Sequence, residues 1–298
     1  MSPNSPRSMC VLAEPYLTDY QVDSLVNAVR ETGIEIPMVV VNGTVSRSYD
    51  PDQVANAVNN PISLTTLKLF REVFERERWW SFVIAERKFA EQVGLSDTEE
   101  RRIPVEDVPV FEDSDVRRVE PIQDGAWNRL PPDVVEEVGD RADVVVRYGF
   151  DLIEGDILTA PRDGVLSFHP ADIRQYRGLG PPRAFLDGQT RMGITLQRLS
   201  DEIDAGEIIA IEHRDLDDCL TLWDVYDSLR DVQPHLLAAG ITNLRDPDFE
   251  PINPDALGPY HSVADRREPK FALQILSKNV SGYLTRVRDA RLPDLTTR

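Results

Sequence analysis

The sequence predicts an α/β fold on a mainly parallel sheet, and three observations carry that prediction. Residues 36–43, IPMVVVNG, are a continuous apolar run closed by Asn-Gly, the form of a strand buried on both faces. A helix-spaced segment, 17–32, joins this run to an earlier short apolar strand, 9–14, giving a βαβ opening. Two further apolar runs, 141–150 and 164–170, repeat the strand signal later in the chain.

The elements then follow in order. Strand 9–14 leads into a helix carrying Tyr20, Val22, Leu25, Val26 and Val29 at helical spacing and ended by Gly33. The connection between them, EPYLTDY, holds no glycine, which argues against a GxGxxG loop and a nicotinamide-dependent enzyme. Residues 63–96 read as a helical insertion, with Leu67, Phe70, Val73, Phe74, Trp80 and Val83 recurring at threes and fours. Its Trp79-Trp80 pair suits a helical hairpin core better than a binding groove. Residues 97–140 are rich in Asp, Glu and Pro and read as loop with short strands in IPVEDVPV and DVRRVEPI.

The buried strand 141–150 is followed by a helical turn, DLIEGDILTAP, and the strand 164–170. Strands at 192–199 and 207–213 come next, then an amphipathic helix over 218–240 with Leu222, Val225, Tyr226, Leu229 and Leu236 on one face. The Pro-rich remainder contains one helix, 270–288. The expected organisation is an α/β domain, 1–240, with a C-terminal extension, 241–298.

The chain has 298 residues, 52 of them Asp or Glu and 33 Lys or Arg, for a formal net charge of -19. A generic phosphate-backbone binder is thereby disfavoured, because neutralising phosphates needs clustered cations. Lys68, Lys88, Lys270 and Lys278 are the only lysines, so the basic residues are overwhelmingly Arg. An acidic, lysine-poor surface fits a halophilic protein working in molar salt; a GC-rich genome favouring Arg codons is the alternative. Hydrophobic residues, 41% of the chain, suffice for a sizeable core, and Cys10 and Cys219 are too few for a disulfide framework. The first twenty residues lack the apolar core of a signal peptide, and no apolar run approaches the roughly 20 residues that cross a membrane. A soluble cytoplasmic protein with no membrane partner is expected; nothing indicates an oligomeric state.

Four histidines can be weighed singly. His213 lies between Glu212 and Arg214 in an alternating strand and His235 follows Pro234 in a helix, both economical as surface or structural residues. His261 sits in a loop without pattern. His169 ends a buried strand just before Pro170, at the carboxyl edge where open α/β sheets place ligands. Asp204 follows in the acidic turn Ser200 to Gly206, where a carboxylate could orient an imidazole. Alone the pair is a weak signal, since acidic turns are common in this chain.

Its surroundings strengthen it. The blocks His169-Pro170, Tyr176-Arg177-Gly178, Gly188, Met192-Gly193-Ile194-Thr195 and Asp201-Glu202-Ile203-Asp204-Ala205-Gly206 occur in the order of a known pattern. This region resembles the active-site segment of the folate-dependent formyltransferases, which include methionyl-tRNA, glycinamide ribonucleotide and sugar N-formyltransferases. The resemblance extends over about 141–240, is loose over 9–43 and is absent from 63–96; the segment PYHSVADRREPKF is similar to a short run of the sugar enzymes.

The resemblance implies a Rossmann-like formyltransferase fold, 10-formyltetrahydrofolate as cosubstrate, an amine acceptor and no metal. His169 would polarise the formyl oxygen and shuttle a proton, with Asp204 orienting the ring. Tyr148, Gly149, Phe150 and Leu152, with Leu199 to Ile203, fall where the family grips the pteridine. Ser167 stands where the family pattern has Asn, and Ala171 where it has Ser. A Ser hydroxyl is shorter than an Asn amide, so catalytic competence is the open question at Ser167. The charge, and only Arg286, Arg288 and Arg291 near the end, argue for a small amine such as an amino sugar over tRNA. A formyltetrahydrofolate deformylase, expected to carry an extra domain before the first strand, and a non-catalytic folate-binding relative are the alternatives.

Overall fold

The computed structural model describes residues 5–44, 64–95 and 101–290. The ends of the helical stretch expected over 63–96, the start of 97–140 and Arg291 lie outside them.

Seven strands form one sheet: β1 (Ser8–Ala13), β2 (Glu35–Asn42), β3 (Asp115–Val119), β4 (Val144–Arg147), β5 (Val165–His169), β6 (Arg191–Arg198) and β7 (Glu207–Asp215). Their spatial order is β7-β6-β5-β4-β1-β2-β3. The five strands from β3 to β5 are parallel, while β6 runs antiparallel to β5 and β7 antiparallel to β6. The expected α/β class with a mainly parallel sheet is what forms.

Alternation along the central strands explains why both faces are covered. Met9, Val11, Val39, Val41, Val144 and Val146 enter one core, where α1 (Asp19–Thr32) contributes Val22, Leu25 and Ala28. Cys10, Leu12, Met38, Val40 and Val145 enter the other, against Val134 and Val138 of α4 (Pro132–Arg141). That helix lies in a stretch expected to be loop. Its Pro131-Pro132 opening reads as a breaker, yet proline is well placed at a helix start, where no intrahelical donor is lost. DVRRVEPI supplies β3, the sheet edge, whose outward charges suit an edge strand.

The helical insertion is two helices, α2 (Leu64–Glu77) and α3 (Trp80–Gln92), broken at Arg78 in the left-handed region at φ 51°. Trp80 is buried against Phe271, whereas Trp79 is exposed and packs on Phe82. The single helix expected over 218–240 is likewise two, α6 (Leu222–Arg230) and α7 (Gln233–Arg245), because Pro234 can only begin a helix. The boundary expected at 240 falls inside α7. In place of the helical turn expected after β4, residues 152–153 form a short strand and 156–158 a 3-10 turn. A shorter helix, α5 (Gly180–Asp187), precedes β6, and α8 (Pro269–Ala290) closes the described chain. Among the described residues, no helix is long and apolar enough to cross a membrane.

This topology fixes where a site can be. The strand order reverses between β1 and β4, and the carboxyl ends of β1, β4 and β5 open there into one crevice.

Candidate active site

A cleft of about 520 Å³ occupies that crevice, lined among others by Glu14 after β1, Arg147 to Gly149 at the end of β4, and Ser167 and Phe168 on β5. The chains of β1 and β4 approach so closely that a Cβ on Gly149 would lie 2.5 Å from the backbone of Ala13 and Glu14. Only glycine fits there. Beyond it Phe150 and Asp151 both have positive φ, 68° and 49°, a conformation non-glycine residues adopt at a cost. The rings of Tyr148 and Phe168 stack with centroids 5.8 Å apart, and burial pushes the Tyr148 phenol up, making it a neutral wall at ordinary pH.

Ser167 and His169 share one face of β5, because side chains two apart in a strand point the same way. His169 is buried, its Nδ1 3.3 Å from Oδ1 of Asp204 and its Nε2 3.0 Å from the carbonyl of Tyr176. Asp204 reaches the ring from the loop after β6 through a left-handed backbone at φ 49°. Burial alone would raise its pKa, but hydrogen bonds from His169, the Gly178 amide (2.8 Å) and Gln197 (3.2 Å) outweigh that and hold it below the usual value. Both neighbours of the imidazole are therefore acceptors.

Arg147 is the group that reading the sequence missed. It sits opposite Ser167 in the β4–β5 register, and its Nε and Nη2 donate to Oγ of Ser167 at 3.2 and 2.8 Å, while Nη1 donates to the Asp151 carbonyl. Burial lowers its pKa, and the Asp204 charge opposes that. A charge ending the apolar run Val144-Val145-Val146 was the available signal. Glu14 was missed too. Its Oε1 accepts from Asn42 (3.1 Å) and the Phe150 amide (2.9 Å), and its Oε2 is buried without a hydrogen-bond partner among the described residues.

The remaining sequence candidates divide. Tyr148 and Gly149 line the cleft, and Leu152 and Ile203 are half-buried nearby in sequence. Leu199 packs on the second core, and the Phe150 side chain is wholly inside it, which leaves only the Phe150 backbone to meet a ligand. His213 contacts Asp172 at 3.3 Å, a second His-Asp pair, but Arg174 already holds that carboxylate through two 2.8 Å bonds, so the group is structural. His235 is exposed on α7. His261 lies beside the site: it pairs with Gly178 in a two-stranded parallel ribbon, its ring 6.0 Å from that of Tyr176. A Cβ on Gly178 would meet the His261 carbonyl at 2.1 Å. Among the described residues, no three His, Cys, Asp or Glu side chains gather as a metal site.

The Formyl transferase family model matches residues 82–241, more than half of the chain. The chain belongs to that family. Methionyl-tRNA formyltransferase of Lachnospira eligens is 31% identical over 155 residues, 51% of this chain and 47% of that protein. The Rickettsia rickettsii enzyme of the same name is 28% identical over 138 residues, 46% of this chain and 42% of its own length. The chain thus matches about half the length of these curated relatives. In structure it is similar to the N-formyltransferase of Helicobacter canadensis, solved with folinic acid and dTDP-3-aminofucose, at TM-score 0.52 and 12% identity, covering 97% of this chain and 84% of that one. A Shewanella sugar N-formyltransferase gives TM-score 0.52 at 11% identity, covering 90% and 88%. At such identities the likeness establishes the Rossmann-like fold of the family.

Proposed function

We propose that the chain moves a formyl group from 10-formyltetrahydrofolate to the amine of a small molecule in the cytoplasm. The observation that carries this reading is the His169–Asp204 contact of 3.3 Å, with His169 on the strand end whose neighbours Ser167, Phe168 and Pro170 line the cleft at the sheet's switch point. The cleft's volume suits a small-molecule pair, and the Tyr148–Phe168 stack offers an apolar wall for a flat ring. Tyr148, Gly149, Leu152, Leu199, Ile203 and the Phe150 backbone are the groups to hold the folate. Bound there, the folate supplies a formyl group already activated on nitrogen.

The chain's own residues do the rest. His169 takes the proton that the attacking amine gives up, and Asp204 keeps the ring oriented and balances its charge. Because Nε2 rests on the Tyr176 carbonyl and Nδ1 on Asp204, the ring has to leave that carbonyl before Nε2 can take the amine's proton or donate to the formyl oxygen. Glu14 Oε2, without a hydrogen-bond partner among the described residues, suits the N–H groups of an amine acceptor at the mouth of β1.

A small acceptor is favoured over tRNA by the charge of -19, whereas the names of the curated relatives favour tRNA. One assay separates these readings. Purified protein is incubated with 10-formyltetrahydrofolate and either an amine panel including nucleotide-linked amino sugars, or methionyl-tRNA. Tetrahydrofolate release is followed alongside the mass gain of one formyl group on the acceptor. Transfer to a small amine, lost in His169→Ala, is expected. Formate released without acceptor identifies a deformylase, and folate binding without turnover a non-catalytic relative; either overturns the proposal.

A further inference from the structure

We propose that Arg147 is a catalytic residue whose guanidinium donates to the formyl oxygen as negative charge develops there. The inference rests on the formyl-transfer reading and adds the donor that Ser167 alone does not supply.

In the transfer, the acceptor nitrogen bonds to the formyl carbon and the carbonyl electron pair moves onto oxygen. The pair returns as the carbon–nitrogen bond to the folate breaks, and the proton lost by the acceptor nitrogen ends on the folate nitrogen. A donor already aimed at that oxygen lowers the barrier, because it need not reorganise when the charge appears. At position 167, where the family pattern has the long amide of Asn, this chain has a hydroxyl that is 1% exposed. Arg147, directly across the β4–β5 pairing, brings its guanidinium onto that hydroxyl.

Hydrogen-bond accounting supports the role. A guanidinium has five N–H donors. Nε and Nη2 each spend one on Ser167 and Nη1 one on Asp151, so two have no acceptor among the described residues, on a side chain that lines the cleft. No carboxylate among those residues lies within ion-pair distance of Arg147; Asp204 acts on it only from farther off. An uncompensated cation at a cleft is costly unless an anion forms there. Ser167 in turn has both acceptor positions taken by Arg147, which leaves its own O–H as a further donor, polarised by the cation behind it. Guanidinium and hydroxyl together replace one amide.

A structural role would be different: Arg147 could merely tie the Phe150–Asp151 turn to the sheet. Steady-state kinetics of the full chain distinguish the two. Arg147→Ala and, as a shorter variant that keeps an uncharged amide donor but not the guanidinium, Arg147→Gln are each expected to lower kcat about 10²–10³-fold. KM for both substrates should stay within about threefold, since ground-state binding is not the target. Guanidinium at millimolar concentration should restore Arg147→Ala activity saturably. Ser167→Asn in the Arg147→Ala background should also recover activity, by supplying an amide donor. A folded Arg147→Gln with wild-type kcat, or kinetic loss confined to KM with no guanidinium rescue, overturns the proposal. If the wild type itself transfers no formyl group to any acceptor, the formyl-transfer reading falls and this proposal with it, a result told apart by the wild-type control.

Discussion

Asp204 concentrates the electrostatics of the site in one carboxylate. Its pKa lies below the ordinary 3.8 although burial works the other way, because His169, Gly178 and Gln197 all hydrogen-bond the charged form. A depressed carboxylate contributes stability above its unfolded pKa, and the contribution drains away as pH falls through the folded value. Asp204→Asn should therefore have a lower Tm than the wild type at pH 7, and the gap should close as the pH is taken below about 4. Its kcat should fall about 10²-fold or more, since an amide no longer balances the charge on His169. Thermal melts across pH, with the transfer assay, check both; an equal Tm gap at pH 7 and pH 3 contradicts the account. His169 and Asp204 were legible in the sequence because their motif blocks are local. Arg147 was not, because its meaning depends on facing Ser167 across two strands, a pairing over 20 residues that spacing along the chain does not reveal.

The α2–α3 hairpin shows what periodicity reads well and what it misses. Apolar spacing identifies helix, but the break at Arg78 occurs in Arg-Glu-Arg-Trp-Trp, where neither glycine nor proline signals it. The left-handed residue turns α3 so that adjacent tryptophans part ways. Trp80 is 5% exposed, against Phe271 of α8 and under the Arg266 guanidinium, while Trp79 is 41% exposed. Trp80→Ala should cost about 3–5 kcal/mol in urea denaturation, and Trp79→Ala about 1 kcal/mol or less, the worth of its contact with Phe82. Comparable losses would mean that the hairpin is not anchored through Trp80. The helix α4 was hidden by composition, since two prolines and many carboxylates resemble loop when the buried pair Val134 and Val138 is the only apolar stripe. Central strands, buried on both faces, announced themselves, and even the charged edge strand β3 showed in DVRRVEPI; the short helices α4 and α5, half their surface facing water, did not.

At the scale of the molecule, 52 acidic against 33 basic groups make the folded chain repel itself in dilute buffer. We propose that the fold is adapted to concentrated salt, where the Debye length shrinks to about 3 Å. Its Tm should rise as KCl is raised to molar levels, with near-UV CD weakening at low salt; a Tm indifferent to KCl removes the halophilic reading. The same screening would soften the repulsion of tRNA, so acceptor assays belong at both low and high salt. The ribbon between Gly178 and His261 bears on how such a molecule comes into being. Arg177, whose Nη1 also bonds the Ile203 carbonyl beside Asp204, donates its Nε to Gly258, 81 residues further along the chain. Domains fold as they are synthesised, N-terminal parts first. The loop that places the Tyr176 carbonyl on His169 and the Gly178 amide on Asp204 has to wait for a partner not yet translated. The sheet can thus assemble on the ribosome before that loop is pinned, and a chain stalled before residue 258 would be folded in outline yet lack the ribbon beside the site.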